Sequence, residues 1–496
     1  MSTARREPIA KVDTAWLRME QPTNLMMITG VIELAEAVDF EHFRRIVANR
    51  FLAFPRFRQK AVDHPRGCWW EEDDQFELSS HIRRTALPGD AGKAELEELV
   101  SELASTPLDK TKPLWQFHFV ENYQGGPVAV SRIHHCYADG IALVQVMLSL
   151  TETSADASNR LVEQEAWKQK RAAESNIFNR LTAPARESAG LIQNVSQKVV
   201  DEASGLLREP HKAAEYLFGA GEIVSELATA LLLDDDPPSR FKGALGVRKR
   251  VSWAPPVPLE EVKAVGHALG ATVNDVLISV MTGALHRYLI ESGDDPESLT
   301  MRATVPVNLR PLEHARDLGN HFGLVFLDLP IGETNPLARL YQVAEFMEQL
   351  KRSKQAVMSL GLLAVLGMGP AALQKPALEL FSRKASTVLT NVPGPQQTLY
   401  MAGSPIREMM FWVPQTGSIG MGISIISYQG QVFCGLITDN KLVPDPDTVM
   451  RHFIEEFDNL LHLTLLIGPQ DGLVDPDAYD EVHEWIQGSL DHVPGF

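Results

Sequence analysis

A β-branched run, Pro127-Val128-Ala129-Val130-Ser131-Arg132-Ile133, leads into His134-His135-Cys136-Tyr137-Ala138-Asp139-Gly140 and then into the apolar run Ile141 to Leu150 (IALVQVMLSL). The first run reads as a strand and the last as a mostly buried helix, so the seven residues between them form a strand-to-helix corner. With short strands and helices alternating through the first half of the chain, such a corner implies a mixed α/β fold. Adjacent residues at a strand end point to opposite faces of the sheet, so only one of His134 and His135 easily faces a given cleft. A neutral imidazole there can take a proton from a hydroxyl and later return one to a thiolate leaving group. Asp139 lies near the helix start, where it can orient that end of a site or fix the backbone around the imidazole. Gly140 leaves space where a side chain would crowd the cleft. The same residues also admit a plain packing role, because Asp139 is a good N-cap and a histidine at a strand end is commonly packed. No metal site is expected: the histidines diverge, and Cys136 and Asp139 complete no familiar ligand spacing.

His134-His135-x-x-x-Asp139-Gly140 resembles the HHxxxDG signature of the bacterial wax ester synthase/acyl-CoA:diacylglycerol acyltransferase family. Other stretches resemble family blocks in the same order. They are Pro113-Leu114-Trp115, Asn274-Asp275-Val276 after Leu269-Gly270-Ala271-Thr272, Val305-Pro306-Val307-Asn308-Leu309-Arg310, Leu318-Gly319-Asn320, Asn391-Val392-Pro393-Gly394-Pro395 and Ser427-Tyr428-Gln429-Gly430. HHxxxDG alone is shared with condensation domains and other CoA-dependent acyltransferases. The ordered set is specific and spans nearly the whole chain outside about 155 to 240.

The resemblance implies two lobes of the chloramphenicol-acetyltransferase-like fold, each a mixed sheet with flanking helices, and a site in a channel between them. It implies an O-acyltransferase that moves a long-chain fatty acyl group from acyl-CoA to a long-chain alcohol, to diacylglycerol, or to both. His135 would be the general base that deprotonates the acceptor hydroxyl, with direct attack on the thioester in a ternary complex. His134 would support it, Asp139 would hold the loop, and Asn274 would position the reacting groups. Acyl-CoA is then a substrate, and no resident cofactor is expected. A related enzyme with another acceptor, such as an amine or a carrier-bound donor, is one rival. A catalytically idle homologue that coats lipid droplets is the other, and the intact His135, Asp139 and Asn274 set argues against it.

The residues themselves fit a mechanism without a protein nucleophile. No Gly-x-Ser-x-Gly elbow occurs, and Gly417 to Gly422 lacks the spacing of either nucleotide-binding glycine motif. Cys136, beside the base, could suggest a thiol nucleophile, but the resemblance argues against it. A formal charge of −18 makes nonspecific nucleic-acid binding unfavourable. Three cysteines, Cys68, Cys136 and Cys434, fit a reducing compartment, and the N-terminal stretch shows no signal peptide core. A cytoplasmic location is expected, with peripheral contact to the inner membrane or a lipid droplet as a further option.

At 496 residues two domains are the default. Residues 1–155 form a first lobe with the corner, 156–240 a helical crossover and 241–496 a second lobe. The crossover is rich in Ala, Glu, Lys and Gln and ends at Asp234-Asp235-Asp236-Pro237-Pro238. Its Trp167, Lys168, Lys170, Arg171, Phe178 and Arg180 could alternatively touch a membrane. From Gln355 to Gln374 no residue is charged, but Gly361, Gly367, Gly369 and Pro370 favour a buried or surface helix over a span.

Within the second lobe, Arg248-Lys249-Arg250 could meet coenzyme A phosphates, although a solvated loop is the commoner explanation. Glu260 to Leu269 reads as a helix that stops at Gly270, and Thr272 caps the next, which carries Asn274 and Asp275 on its first turn. A polar side chain there can be aimed into a cleft beside exposed N–H groups, or can merely cap. Ser418 to Ser427 and Gln431 to Thr438 form a hairpin. Asn391 to Pro395 follows the strand Thr387 to Thr390 as a rigid turn.

Overall fold

The computed structural model describes residues 6–64, 67–163, 234–309, 318–352, 381–415 and 417–467, together with Ser359, Glu379, residues 474–477 and Tyr479. Most of the expected crossover, with Trp167 to Arg180, and nearly all of Gln355 to Gln374 lie outside the described residues, as does Arg310. In chain order, the first part runs β1 (Arg6–Pro8), α1 (Lys11–Met19), β2 (Met27–Leu34), α2 (Phe40–Asn49), β3 (Gln59–His64), β4 (Gly67–Glu72) and β5 (Ile82–Thr85). Then come α3 (Lys93–Ser105), β6 (Trp115–Val120), β7 (Val128–His134), α4 (Gly140–Leu148) and α5 (Ala155–Glu163). The second part runs β8 (Lys249–Trp253), β9 (Val257–Pro258), α6 (Leu259–Ala268), α7 (Val273–Glu291), β10 (Met301–Asn308), β11 (Phe322–Leu329) and α8 (Pro336–Arg352). It closes with β12 (Thr387–Pro393), β13 (Tyr400–Met401), β14 (Ser404–Trp412), β15 (Met421–Tyr428), β16 (Gln431–Asp439) and α9 (Pro446–Ile467).

Two mixed sheets organise these elements, with a small sheet β1-β4-β3 beside them. The first sheet has the order β13-β14-β2-β7-β6-β5, and the second β11-β10-β12-β15-β16-β8 with β9 on β16. The strands of the first follow from period-2 patterning. In β6, Trp115, Phe117 and Phe119 are buried while Gln116 and His118 are less so. β7 is buried at every position, as a central strand covered on both faces must be. Position in the chain does not partition the sheets: β14 pairs antiparallel with β2, from Trp412 opposite Thr29 to Ile406 opposite Leu34. The first sheet is therefore completed by residues that follow most of the second.

β8 is an edge strand of the second sheet, and its outward amides would otherwise be unpaired. α3 covers them with side chains. Lys249 N–H donates to Ser105 Oγ at 2.7 Å, Val251 N–H to Ser101 Oγ at 2.9 Å and Trp253 N–H to Glu97 Oε1 at 3.1 Å. Four residues of helix rise by about 6 Å and two residues of strand by about 6.6 Å, so the two periods match over this short run.

Two boundaries differ from the sequence expectation. β12 extends through Pro393 instead of turning after Thr390, because its end pairs with β15 alone, up to Pro393 opposite Ser427, while β10 meets only Thr387 and Val388. A proline there disrupts no second ladder. β15 starts at Met421 rather than Ser418, after a turn at Gly417 with φ of 56°. Among the described residues no single helix is long and apolar enough to cross a membrane.

Candidate active site

The corner is built from three directions. Asp139 is the N-cap of α4, its Oδ1 accepting the Ala142 N–H at 2.9 Å. Its other oxygen reaches the second sheet, where Oδ2 accepts the His321 N–H at 2.9 Å just before β11. The backbones also meet: Gly319 N–H donates to Tyr137 O at 3.0 Å and Asp139 N–H to Gly319 O at 3.3 Å. Gly319 has φ of 113°, which only glycine adopts without strain. From below, Leu114 holds the loop, accepting the His134 N–H at 3.0 Å and donating its own N–H to Tyr137 Oη at 3.0 Å. Trp115 beside it is fully buried core.

His134 and His135 are 1% and 4% exposed and diverge as a strand end requires. His134 Nδ1 accepts the Cys136 N–H at 3.1 Å, and Nε2 lies 3.2 Å from Glu20 Oε2. Lys110 Nζ lies 2.7 Å from the other Glu20 oxygen. Burial would raise the Glu20 carboxyl, but His134 and Lys110 outweigh it and hold its pKa at about 2. His134 is thus tied to the backbone through Nδ1, with Glu20 beside Nε2, and braces the corner.

His135 is held differently. Its N–H donates to Met26 O at 2.7 Å, and its carbonyl accepts Asn320 Nδ2 at 2.8 Å. The ring stacks on Trp16 of α1, with centroids 4.2 Å apart and planes 18° apart, and Phe322 of β11 lies 5.6 Å away. Burial pulls the His135 pKa down to about 4, against the opposing pull of Asp139. The ring is neutral at pH 7 and able to accept a proton. Cys136 is the opposite case, since complete burial pushes its thiol well above the ordinary range and leaves no thiolate to attack. A Cβ at Gly140 would meet no atom within 4 Å, so the helix start opens onto space.

Asp13, Trp16 and Glu20 come from α1 and its C-cap and do not belong to the motif. Asp13 Oδ1 accepts both the backbone N–H of Asn320 at 2.9 Å and its Nδ2 at 2.8 Å. Burial raises the Asp13 pKa to about 6, against the Asn320 hydrogen bonds and with help from the charge of Asp139. A signal for these residues existed: Asp13 lies among Val12, Trp16 and Met19 on the buried face of α1. A carboxylate in that setting needs a partner.

The second candidate group sits at the start of α7. Thr272 and Asp275 form a capping box, with Thr272 N–H donating to Asp275 Oδ2 at 2.9 Å and Asp275 N–H to Thr272 Oγ1 at 3.3 Å. Asn274 is buried, and its Oδ1 accepts a hydrogen bond from Asn391 Nδ2. Two blocks far apart in sequence thus meet. Arg248, Lys249 and Arg250 take another course. Arg248 and Arg250 grip Glu98 of α3 at 2.5 Å each, and Lys249 is buried against Asp439 at 2.8 Å. Lys249 is thus committed to the β8–β16 contact, while both arginines share the single carboxylate of Glu98. A cavity of about 350 Å³ among α7, α8 and α9, lined in part by Arg287, Arg339 and His452, includes none of the candidates. Among the described residues no cluster of three or more His, Cys, Asp or Glu could hold a metal.

Comparison with known proteins places this geometry. A family model described as the wax ester synthase/diacylglycerol acyltransferase catalytic domain matches residues 9–277, and the WS/DGAT C-terminal domain matches 318–461. A Mycobacterium tuberculosis protein named as a diacylglycerol O-acyltransferase is 26% identical over 487 residues, covering 92% of this chain and 91% of the relative. The solved wax ester synthase/diacylglycerol acyltransferase from Marinobacter aquaeolei VT8 matches with a TM-score of 0.64 at 19% identity, over 92% of this chain and 100% of that one. The trichothecene 15-O-acetyltransferase from Fusarium sporotrichioides matches at 0.57 and 12% identity, over 92% and 94%. The fold is that of the CoA-dependent acyltransferases.

Proposed function

Because the chain belongs to the wax ester synthase/diacylglycerol acyltransferase family, we propose that His135 is the general base of an O-acyl transfer from acyl-CoA to the hydroxyl of a long-chain alcohol or of diacylglycerol. The protein is an acyltransferase, and its substrates are an acyl-CoA and an acyl acceptor. The observation that carries the base assignment is the place of the His135 ring at the motif corner, stacked on Trp16 of α1 with Phe322 of the second sheet beside it. His135 takes the acceptor's proton as its oxygen attacks the thioester carbonyl. The tetrahedral intermediate then expels the coenzyme A thiolate, which receives the proton. No covalent acyl-enzyme forms. His134, locked between Cys136 and Glu20, supports the corner, and Asp139 joins it to the second sheet. Asn274 with Asn391 positions the reacting groups. The reaction needs no resident cofactor. The enzyme acts in the cytoplasm, with peripheral contact to a membrane or lipid droplet where its acceptors reside.

The test is release of free coenzyme A from palmitoyl-CoA with hexadecanol, diacylglycerol or no acceptor, for the wild type and His135→Ala. Acceptor-dependent release that falls by a factor of about 10² or more in the variant supports the reading. Undiminished release from the variant refutes the base assignment, and no wild-type release with either lipid points to another acceptor.

A further inference from the structure

The cavity of about 350 Å³ among α7, α8 and α9 lies at the small end of the ligand-pocket range of about 300–1,000 Å³, and its floor is charged. Arg339 of α8 is 3% exposed there and shares the single carboxylate of Glu456 with Arg287 of α7. Its Nη1 donates to Glu333 O at 3.1 Å, and its Nε–H has no acceptor among the described residues. Burial pulls the Arg339 pKa below the ordinary arginine value against the attraction of Glu456, so one carboxylate does not offset the burial of this guanidinium. The fold makes room for the pair all the same: a Cβ at Gly283 of α7 would collide with both Glu456 Oε2 and Arg339 Nη2.

The carboxylates that line the cavity are spent, and the donors are not. Glu456 is taken by the two arginines, and Glu291 by Arg451 Nη2 at 3.2 Å and His452 Nε2 at 2.7 Å. Arg339 Nε is bare, and Arg287, bound to Glu456 through Nε, has Glu455 no nearer to Nη1 than 3.7 Å. Thr334 and Asn459 stand exposed at the rim. A group that enters must therefore bring acceptors. We propose that this cavity is a phosphate-group site, separate from the catalytic corner, for which Arg287, Arg339, Thr334 and Asn459 supply the donors. They come from α7, from the start of α8 and from α9, which suits an oxyanion with acceptors in three directions better than a planar carboxylate with two. Ile290, 55% exposed at the rim, offers an apolar contact to whatever the phosphate carries. A small soluble phosphate and an anionic lipid headgroup share this chemistry. The inference does not depend on the base assigned to His135.

The experiment is isothermal titration calorimetry of the full chain at constant ionic strength with inorganic phosphate and with glycerol 3-phosphate, beside co-sedimentation with phosphatidylcholine vesicles that contain or lack phosphatidylglycerol. Saturable binding of at least one phosphate probe is expected. Asn459→Asp and Thr334→Glu place a negative charge at the exposed rim and should weaken that binding by about tenfold or more, while coenzyme A release from palmitoyl-CoA with hexadecanol stays within about twofold of wild type. Arg287→Gln, which removes a donor, should weaken it likewise, and where that variant does not fold the two rim variants decide. Binding of either soluble probe without vesicle capture assigns the site to soluble phosphates. Capture that needs phosphatidylglycerol and is lost in the rim variants assigns it to a lipid headgroup. No saturable binding of any probe overturns the proposal. Binding that the rim variants leave unchanged also overturns it, because the phosphate would then sit elsewhere on the protein.

Discussion

Two helices of this enzyme begin at an acid near their first turn and use it in opposite ways. At α7 the carboxylate of Asp275 closes back on Thr272, three residues away. At α4 the carboxylate of Asp139 caps its own helix with one oxygen and holds the backbone of His321 on the other sheet with the second. Asp275 is the third residue of its helix and Asp139 the N-cap of its own; the first fixes a helix end, and the second fixes a helix end and an inter-sheet seam. An acid at a helix start therefore says little about function until the partner of its second oxygen is known.

The comparison predicts a ranking. Asp139→Ala removes a cap and a charge-assisted bond to a backbone amide and should lower stability by about 3 to 4 kcal/mol, with loss of turnover, as read by urea unfolding and coenzyme A release. Next comes pH. His135 titrates at 6.5 unfolded and about 4 folded, so the unfolded chain binds the extra proton between those values and stability rises with pH across them. Asp13 titrates at 3.8 unfolded and about 6 folded, so its contribution is lost as pH rises through that window. Each amounts to about 3 kcal/mol, and they nearly cancel. Asp13→Asn leaves His135 uncompensated, so as pH rises from 3.8 to about 6 its stability should gain about 3 kcal/mol relative to wild type. Parallel curves for the two proteins would contradict the pairing. Asp275→Ala loses a cap alone and should cost about 1 kcal/mol; a cost equal to that of Asp139→Ala would erase the distinction between the two corners. Smallest is Arg248→Ala with Arg250→Ala, which removes part-exposed ion pairs worth at most about 1 kcal/mol each and should leave KM for acyl-CoA unchanged. A several-fold rise in that KM would return the phosphate role to these arginines.

What the sequence made legible was local. The β7 to α4 corner, the Thr272 cap and the β15–β16 hairpin each depend on residues within a few positions of one another, where periodicity and capping chemistry are read directly. The site was legible only in part. Asp13 meets Asn320 at a separation of 307 residues, and Trp16 reaches His135 from a different helix. Such contacts leave only a weak trace, here a carboxylate on the apolar side of α1. The partners of the basic cluster were hidden for the same reason, since Glu98 and Asp439, which pair with it, come from distant elements.

The place of β14 beside β2 has a consequence in time. β2 is complete at Leu34, but its neighbour on one side ends at Trp412. At synthesis rates of ~5–20 residues per second, the ribosome needs between about 20 s and somewhat over a minute to deliver it. For that interval β2 offers newly made chains an open edge, however fast either sheet could fold by itself. A chain ending before β13 would keep that edge for good and should aggregate during expression, which solubility of such a truncation beside the full chain would check. The moment of greatest exposure for this enzyme is thus set by the translation clock.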